Sequence, residues 1–426
     1  MTNHVDTAGA QNRMHMSVWP AYIIVVALFA AYTFHLATPR LSDDELHAGQ
    51  ISTIYTEIAN GDTFGKKISA FIAPEILLPM YPFFHTTVAT VAWIFRAGDD
   101  TEAFRLIATL INMCALWAFY TAVRRKLHTE IAGLRTLALL SIPFFFIYVP
   151  SLYTDICSLL FVFLTVTALE HKSAVAGLWG TLSWFVRQSA AGVIATLLAL
   201  DISARDERLS VGHIRAFVRE RRATILSVLA FLLFVFMNNG IALNYTEYHT
   251  LIPAMPGNIF QLSVLFAVLL LPFHVNALHN LGALEKKQAV YALLCACGAF
   301  IVFLMTNFPH AHNAIGPAGY LHNAVIQFIS DSYIARALLA LVGAIGAFFL
   351  AVEAFRERSL AVIILCTLLT LIPIAHVSPR YTLPFFALYL LFKKSGSEKL
   401  ERTQALYLHA FALASLFLLV HYHIEL

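Results

Sequence analysis

The chain has 426 residues, of which 59% are hydrophobic and 12% charged, with a formal net charge of +3. A soluble domain carries roughly 25% charged residues, so a soluble globular fold is excluded, and apolar runs of helix length rather than short alternating segments exclude an outer-membrane barrel. So small a net charge argues against a nucleic-acid partner, and the basic residues sit in short loops, where they set orientation in a lipid bilayer.

The expected fold class is an all-α polytopic membrane protein, with residues 1–426 forming a single integral membrane domain. The first sixteen residues are polar and lack a small-residue cleavage site, so the run Ser17–Ala37 reads as a retained anchor. It leads into an outer loop, residues 38–101, that opens with Leu41-Ser42-Asp43-Asp44-Glu45-Leu46-His47-Ala48-Gly49-Gln50. Charge beside lipid is costly and is usually kept for a task. The three carboxylates and the histidine are therefore read as an active-site acid cluster, with a solvated acidic cap that helps set topology as the alternative. The following stretch, Ser69–Phe95, is apolar but broken by Pro74, Pro79 and Pro82. If it crossed the membrane, the next span, Ala103–Val123, would deliver Arg124-Arg125-Lys126 to the side of the acid cluster, so it is laid in the outer interface as interfacial helices.

The remaining loops alternate. Arg124–Lys126 is inside, Ser151–Asp155 outside and His171-Lys172 inside. Ala174–Ile202 is long enough for two short spans, interrupted at the outer surface by Arg187-Gln188. The most basic loop, with Arg205, Arg208, Arg215, Arg219, Arg221 and Arg222, is inside. Thr224–Leu243 runs out, Ile259–Leu278 returns to Lys286-Lys287, and Gln288–Phe308 runs out again. Pro309–Tyr333 lies outside, Arg356 and Arg358 inside, His376–Tyr381 outside, and Lys393, Lys394, Lys399 and Arg402 inside, before Gln404–Tyr422 carries the chain out. The expectation is about thirteen transmembrane helices with the polar chemistry on the outer face. The five cysteines, Cys114, Cys157, Cys295, Cys297 and Cys366, give neither a disulfide framework nor a metal-ligand spacing, and Cys295 and Cys297 are read as core.

Several outer-face residues have chemistry that packing explains poorly. Asp43, Asp44 and His47 fall within about one helical turn, and a carboxylate at the mouth of a low-dielectric cavity is suited to act as a general base toward a hydroxyl. Tyr153-Thr154-Asp155 stands at a helix start, where an N-cap is the simpler explanation. Arg187 interrupts nearly thirty apolar residues and must have a partner, either a phosphate or carboxylate of a ligand or an ion pair with Asp155. Asn238 ends a span, as a C-cap would, and His249 follows in the next loop. His310, His312 and His322 have metal-like side chains, but residues two apart point away from one another and no Cys or carboxylate joins them, so no metal site is expected. Ser378-Pro379-Arg380-Tyr381 sets an Arg and an aromatic at another outer helix start, suited to an anionic headgroup or to simple interfacial anchoring.

Taken in order, these signals resemble the dolichyl-phosphate-glucose-dependent alpha-1,2-glucosyltransferases, GT-C-fold membrane enzymes that add the terminal glucose to the lipid-linked oligosaccharide. The family's Asp-Glu-x-Phe-His-x-x-Gln is similar to Asp43-Asp44-Glu45-Leu46-His47-Ala48-Gly49-Gln50, and its Tyr-Thr-Asp-x-x-Ser matches Tyr153-Thr154-Asp155-Ile156-Cys157-Ser158. Its His-Lys matches His171-Lys172, its Arg-Gln matches Arg187-Gln188, its Asn-x-Gly-Ile resembles Asn238-Asn239-Gly240-Ile241, and its Pro-Arg-Tyr-x-x-Pro matches Pro379-Arg380-Tyr381-Thr382-Leu383-Pro384. Departures are Asn244-Tyr245-Thr246 in place of Gly-Asp-Lys and Gly319-Tyr320-Leu321-His322-Asn323 in place of Asp-Asn-Arg-His-Tyr.

The resemblance implies a GT-C-type enzyme that transfers a hexose, glucose in the family, with inversion from a polyprenyl- or dolichyl-phosphate sugar to a lipid-linked oligosaccharide or other glycan, without a nucleotide sugar; no cofactor is expected, and a divalent metal is left open. Asp43 would be the base, with Asp44 and His47 beside it. Arg187, Gln188, Arg380 and Tyr381 would hold the donor phosphate, and Gln50, Tyr153, Asp155, Asn238, His249 and His322 would line the substrate site. The membrane would be the endoplasmic reticulum with a lumenal site, or a bacterial inner membrane with a periplasmic one. A transporter or flippase of an anionic lipid or sugar would use the same outer arginines, but it calls for polar groups on both sides of a midplane site and often shows inverted repeats, neither of which is visible here. A structural scaffold is the third reading.

Overall fold

The computed structural model describes residues 44–61, 83–170, 173–205, 210–238, 256–280, 282, 284–306, 332–374 and 377–422. Among them there are helices and no strands. In chain order the α-helices are α1 (Asp44–Asn60), α2 (Phe83–Ile94), α3 (Thr101–Arg124), α4 (Thr129–Leu140), α5 (Pro143–Tyr148), α6 (Thr154–Leu169), α7 (Ser173–Val186) and α8 (Ala190–Ala204). They continue with α9 (Val211–Asn238), α10 (Gly257–Leu269), α11 (Leu271–His279), α12 (Lys286–Met305), α13 (Tyr333–Arg356), α14 (Arg358–Leu371), α15 (Leu383–Phe392) and α16 (Glu398–Tyr422). A 3-10 turn, Pro379–Thr382, leads into α15.

Three helices, α3, α12 and α13, are each long and apolar enough to cross a membrane, and α10 with α11 makes a fourth as a pair bent by 75°. At 1.5 Å per residue α3 runs about 36 Å, more than the roughly 30 Å hydrocarbon layer. The apolar helices α2, α6, α7, α8 and α14 are shorter, between 10 and 17 residues. The interruption expected within Ala174–Ile202 is present, with α7 ending at Val186 and α8 starting at Ala190.

Three expectations are corrected. Ile259–Leu278 is not one straight span but breaks at Leu270. Pro272 has no N–H to give and its ring crowds the carbonyl four residues earlier. The carbonyls released at the break are taken up by α16, Tyr407 Oη donating to Val268 O and Gln404 Nε2 to Leu269 O, both at 2.7 Å. The arginine-rich segment expected as a loop is helical from Val211 onward, and α9 is continuous to Asn238. Cys295 and Cys297 are exposed rather than core. Their helix, α12, packs mainly on α13 and turns most of its circumference outward, where lipid takes the place of a protein core.

The main core joins α3, α4, α5, α6, α8, α10, α15 and α16 through residues such as Phe119, Phe163, Phe266, Phe386 and Tyr389. A second core explains how the outer-loop helices are held. Ile51, Ile54 and Ile58 recur on one face of α1 and pack with Phe84, Val88 and Ala92 of α2 and Phe104 and Ala108 of α3. The described half of the outer-loop apolar stretch is thus a helix seated on α1 and α3.

The ends of the helices differ in chemistry. At one end Arg125 bridges to Glu170 at 3.2 Å, Lys393 to Glu353 at 2.7 Å, and the fully buried Arg135 to Glu401 at 2.7 Å. Arg135 also donates to the carbonyls of Leu390 and Lys393, both at 2.7 Å, so the buried charge is neutralised and its donors are used. Asp155 and Glu170 mark opposite ends of α6, about 22 Å apart along the axis. The residues described below gather at the Asp155 end.

Gly346 marks the closest approach of α13 to α10, where an added Cβ would run into the Ser263 carbonyl. Gly346→Ala is expected to lower stability by about 1–3 kcal/mol through overpacking. Gly298, with nothing near its Cβ position, is the control, since Ala there should be neutral or stabilising by up to about 1 kcal/mol. Thermal unfolding in detergent compares the two, and equal melting temperatures would rule out the close crossing.

Candidate active site

Five elements separated in sequence place polar side chains at one point. His47 and Gln50 are three residues apart on α1, both buried, and the isoleucines one turn further on anchor that face to the second core. His85 lies on the buried face of α2. Tyr153 is the N-cap residue of α6 and Asp155 lies in its first turn. Arg187 and Gln188 occupy the break between α7 and α8, where short turn bonds, Ala190 N to Arg187 O at 2.9 Å and Ala191 N to Gln188 O at 3.1 Å, restart the helix. Arg380 and Tyr381 come from the 3-10 turn before α15.

The N-cap residue of α6 is Tyr153, whose side chain makes no cap hydrogen bond, and Asp155 sits in the first turn of the helix rather than at the cap. The Asp155 carboxylate pairs instead with Arg187, Oδ1 to Nε at 3.3 Å. Its second oxygen, Oδ2, is buried and has no hydrogen-bond partner among the described residues. The ion pair that the sequence offered as an alternative partner for Arg187 is therefore present. Arg187 and Arg380 flank the Tyr381 ring, their Cζ atoms 5.9 and 5.7 Å from its centroid, and Arg380 also lies 5.4 Å from the Tyr153 ring. Two guanidiniums, Arg187 and Arg380, share the site with the Asp155 carboxylate, and a guanidinium is suited to hold an anion.

His47 joins this group through Tyr153, whose ring centroid is 5.1 Å away. On its other side it meets His85 edge to edge, the ring planes within 16° of parallel and Nδ1 of His47 2.7 Å from Nε2 of His85, sharing one proton as donor and acceptor. Burial, then the neighbouring His85, Arg380 and Arg187, hold the His47 imidazole well below its ordinary pKa. Burial alone pushes His85 down to about 3. Both rings are neutral at pH 7, so the pair is an apolar-walled donor and acceptor rather than a third cation.

A cavity of about 220 Å³ opens between α6, α8, α14 and α15. Asp155, Gln188, Arg380 and Tyr381 form one part of its wall, and apolar residues including Leu159, Val162, Val193 and Phe385 form most of the rest. Thr196, Thr367 and Thr370 are its other polar side chains beyond Ser158 and Ser189. The shape suits a molecule with an anionic head and an apolar body.

Of the residues singled out from sequence, His47, Tyr153, Asp155, Arg187, Gln188, Arg380 and Tyr381 are gathered near this point, and Gln50 is buried three residues beyond His47 on α1. Asn238 closes α9 and does not line the cavity. Asp44 is the first residue of α1, and Asp43, His249 and His322 lie outside the described residues. Among the described residues no group of three metal-ligating side chains occurs. Sequence reasoning missed His85. Its only signal was an imidazole directly after the apolar run Pro82-Phe83-Phe84, a polar group that needs a partner once it is buried.

Residues 77–208 match the model of the DIE2/ALG10 family, a glucosyltransferase family of lipid-linked oligosaccharide assembly. The matched stretch includes His85, Tyr153, Asp155, Arg187 and Gln188, while the acid cluster and Arg380 lie outside it. No curated protein sequence and no solved structure matches the chain. That family is one of membrane glycosyltransferases of glycan assembly. Together with the apolar helices it points to an integral membrane protein.

Proposed function

We propose that the protein is a GT-C-type hexosyltransferase that uses a polyprenyl-phosphate sugar, glucose by resemblance, and transfers it with inversion to a lipid-linked or other glycan acceptor. The observation that carries this reading is the cavity itself, which joins Arg380, Gln188 and the Arg187-paired Asp155 to a largely apolar wall. A phosphate esterified to an isoprenoid and a hexose has the matching parts. The guanidiniums receive the phosphate, the apolar wall receives the first isoprene units, and the buried Asp155 Oδ2 accepts a sugar hydroxyl, which would satisfy an otherwise orphaned carboxylate oxygen.

In the reaction Asp43 takes the proton of the acceptor hydroxyl as its oxygen attacks the anomeric carbon from the face opposite the phosphate. The bond from that carbon to the phosphate oxygen breaks, and polyprenyl phosphate leaves with the electron pair. Preorganised guanidiniums at the departing phosphate stabilise the charge that develops there. His47, neutral and next to Tyr153, orients the acceptor rather than binding the anion. The acceptor side is on the outer face of the membrane, lumenal in an endoplasmic reticulum and periplasmic in a bacterial inner membrane.

Purified protein incubated with polyprenyl-phosphate glucose and a glycan acceptor should release polyprenyl phosphate. Translocation of the intact donor across proteoliposomes without release would favour a flippase. Arg187→Ala and Arg380→Ala should each weaken donor binding by about 1.5–3 kcal/mol, the range for a charge-assisted hydrogen bond. Lys should restore only part of it, because the bidentate fork is lost. Since Arg187 also neutralises Asp155, the double variant Arg187→Leu with Asp155→Asn separates the two roles. Full donor affinity in the double variant would show that Arg187 serves Asp155 alone.

A further inference from the structure

The arginines of α9 divide between its two sides. Arg221 turns toward α8 and donates to Asp201 at 2.7 Å, and Glu220 receives Arg205 at 2.7 Å. Arg215, Arg219 and Arg222 are exposed, and among the described residues none of them meets a carboxylate. At about 100° per residue, these three share one arc with Leu226, Leu229, Leu233, Phe236 and Met237, each more than half exposed. Val211 and Val218 lie on the same arc and are also exposed. Glu220 falls on the opposite side of the helix. One continuous helix therefore presents, along a single face, a fully apolar half and a half in which valines alternate with unneutralised arginines.

The lengths fit a bilayer boundary. The apolar half, residues 223–238, runs about 24 Å, most of the roughly 30 Å hydrocarbon layer. From Arg222 to Arg215 the helix rises about 10 Å, enough to carry it through a headgroup layer of about 5–8 Å. A wholly apolar exposed face of this size is a lipid contact, and continuity of the helix places the arginines among the phosphates of the same leaflet. The valines between them keep that half of the helix against the membrane rather than lifted into water.

We propose that Arg215, Arg219 and Arg222 form a binding ladder for anionic phospholipid headgroups of the cytosolic leaflet. Zwitterionic lipids offer the same phosphate but no net charge, so the three uncompensated cations select lipids of net negative charge. The inward arginines contribute nothing to this preference, because their charge is already spent on Asp201 and Glu220.

The test is native mass spectrometry of the full chain released from detergent containing equal amounts of phosphatidylglycerol and phosphatidylcholine. The wild type should retain phosphatidylglycerol in preference, and the preference should fall about fivefold for each of the three arginines replaced, the attraction expected per basic residue at a membrane surface. Arg→Lys replacements should keep most of it. R215Q/R219Q/R222Q gives the largest loss. If that variant inserts wrongly, the three single variants decide the matter, since each leaves five arginines between 205 and 222 to set orientation. An equal retention of both lipids by the wild type, or a phosphatidylglycerol preference that survives in the single and triple variants alike, overturns the proposal.

Discussion

Lowering the pH from 7 to 5 is expected to cost the folded protein about 2 kcal/mol through His85 alone. Its folded-state pKa is about 3 against an ordinary 6.5. Between those values the unfolded chain binds a proton that the folded chain refuses, so stability falls as pH drops below 6.5 and is fully present above it. His47 adds to the loss with the same sign, its imidazole being held low by burial, by His85 and by the guanidiniums of Arg380 and Arg187. The shared hydrogen bond of 2.7 Å couples the two rings, so they are expected to titrate as a pair and not one by one. Thermal unfolding in detergent at pH 7, 6, 5 and 4 measures the slope. His85→Phe removes one titrating ring and one hydrogen bond, so it should be less stable at pH 7 but lose less on acidification. A slope identical in wild type and His85→Phe would mean that the pair is solvated and that the two outer-loop helices are not closed over it.

The larger effect on turnover is expected at the acid cluster. Positioned general-base catalysis is typically worth about 10²–10⁴-fold in rate. Asp43→Asn keeps the side-chain shape and removes the basic lone pair, so kcat should fall by at least about 10²-fold while donor binding persists. The location of the neighbouring groups sharpens the expectation. His47 follows Asp43 by four residues and is buried against Tyr153, which in turn contacts Arg380. Asp44→Asn should cost less, since its part would be to orient the acceptor or to raise the pKa of its neighbour through like charge. An inactive Asp44→Asn with a nearly normal Asp43→Asn would shift the base by one residue. Full activity in both would make the cluster a topology signal.

The membrane character and the helical class were legible because they depend on composition and local order. The break at Arg187-Gln188 was visible, since a charged residue within an apolar run has few tolerable positions. The start of α6 at Tyr153-Thr154 was visible too, but its explanation was not. Whether Asp155 caps a helix or meets Arg187 depends on how α6 packs beside α7 and α8, and nothing in the local sequence records that. The same holds at Leu270, where Pro272 is a local reason for a break but the partners that make it tolerable, Gln404 and Tyr407, come from the last helix.

By itself the sequence determined that this is an apolar helical chain with its arginines and acids in separated clusters, because hydropathy and charge act on each segment wherever the others lie. Only the tertiary structure decided that His47, Tyr153, Asp155, Arg187 and Arg380 meet at one end of the helices, and that His85 joins them. It also decided which arginines of α9 are spent on Asp201 and Glu220 and which face outward. These are questions of which faces of distant helices pack together, and side-chain packing across elements fixes them through contacts that no single segment contains.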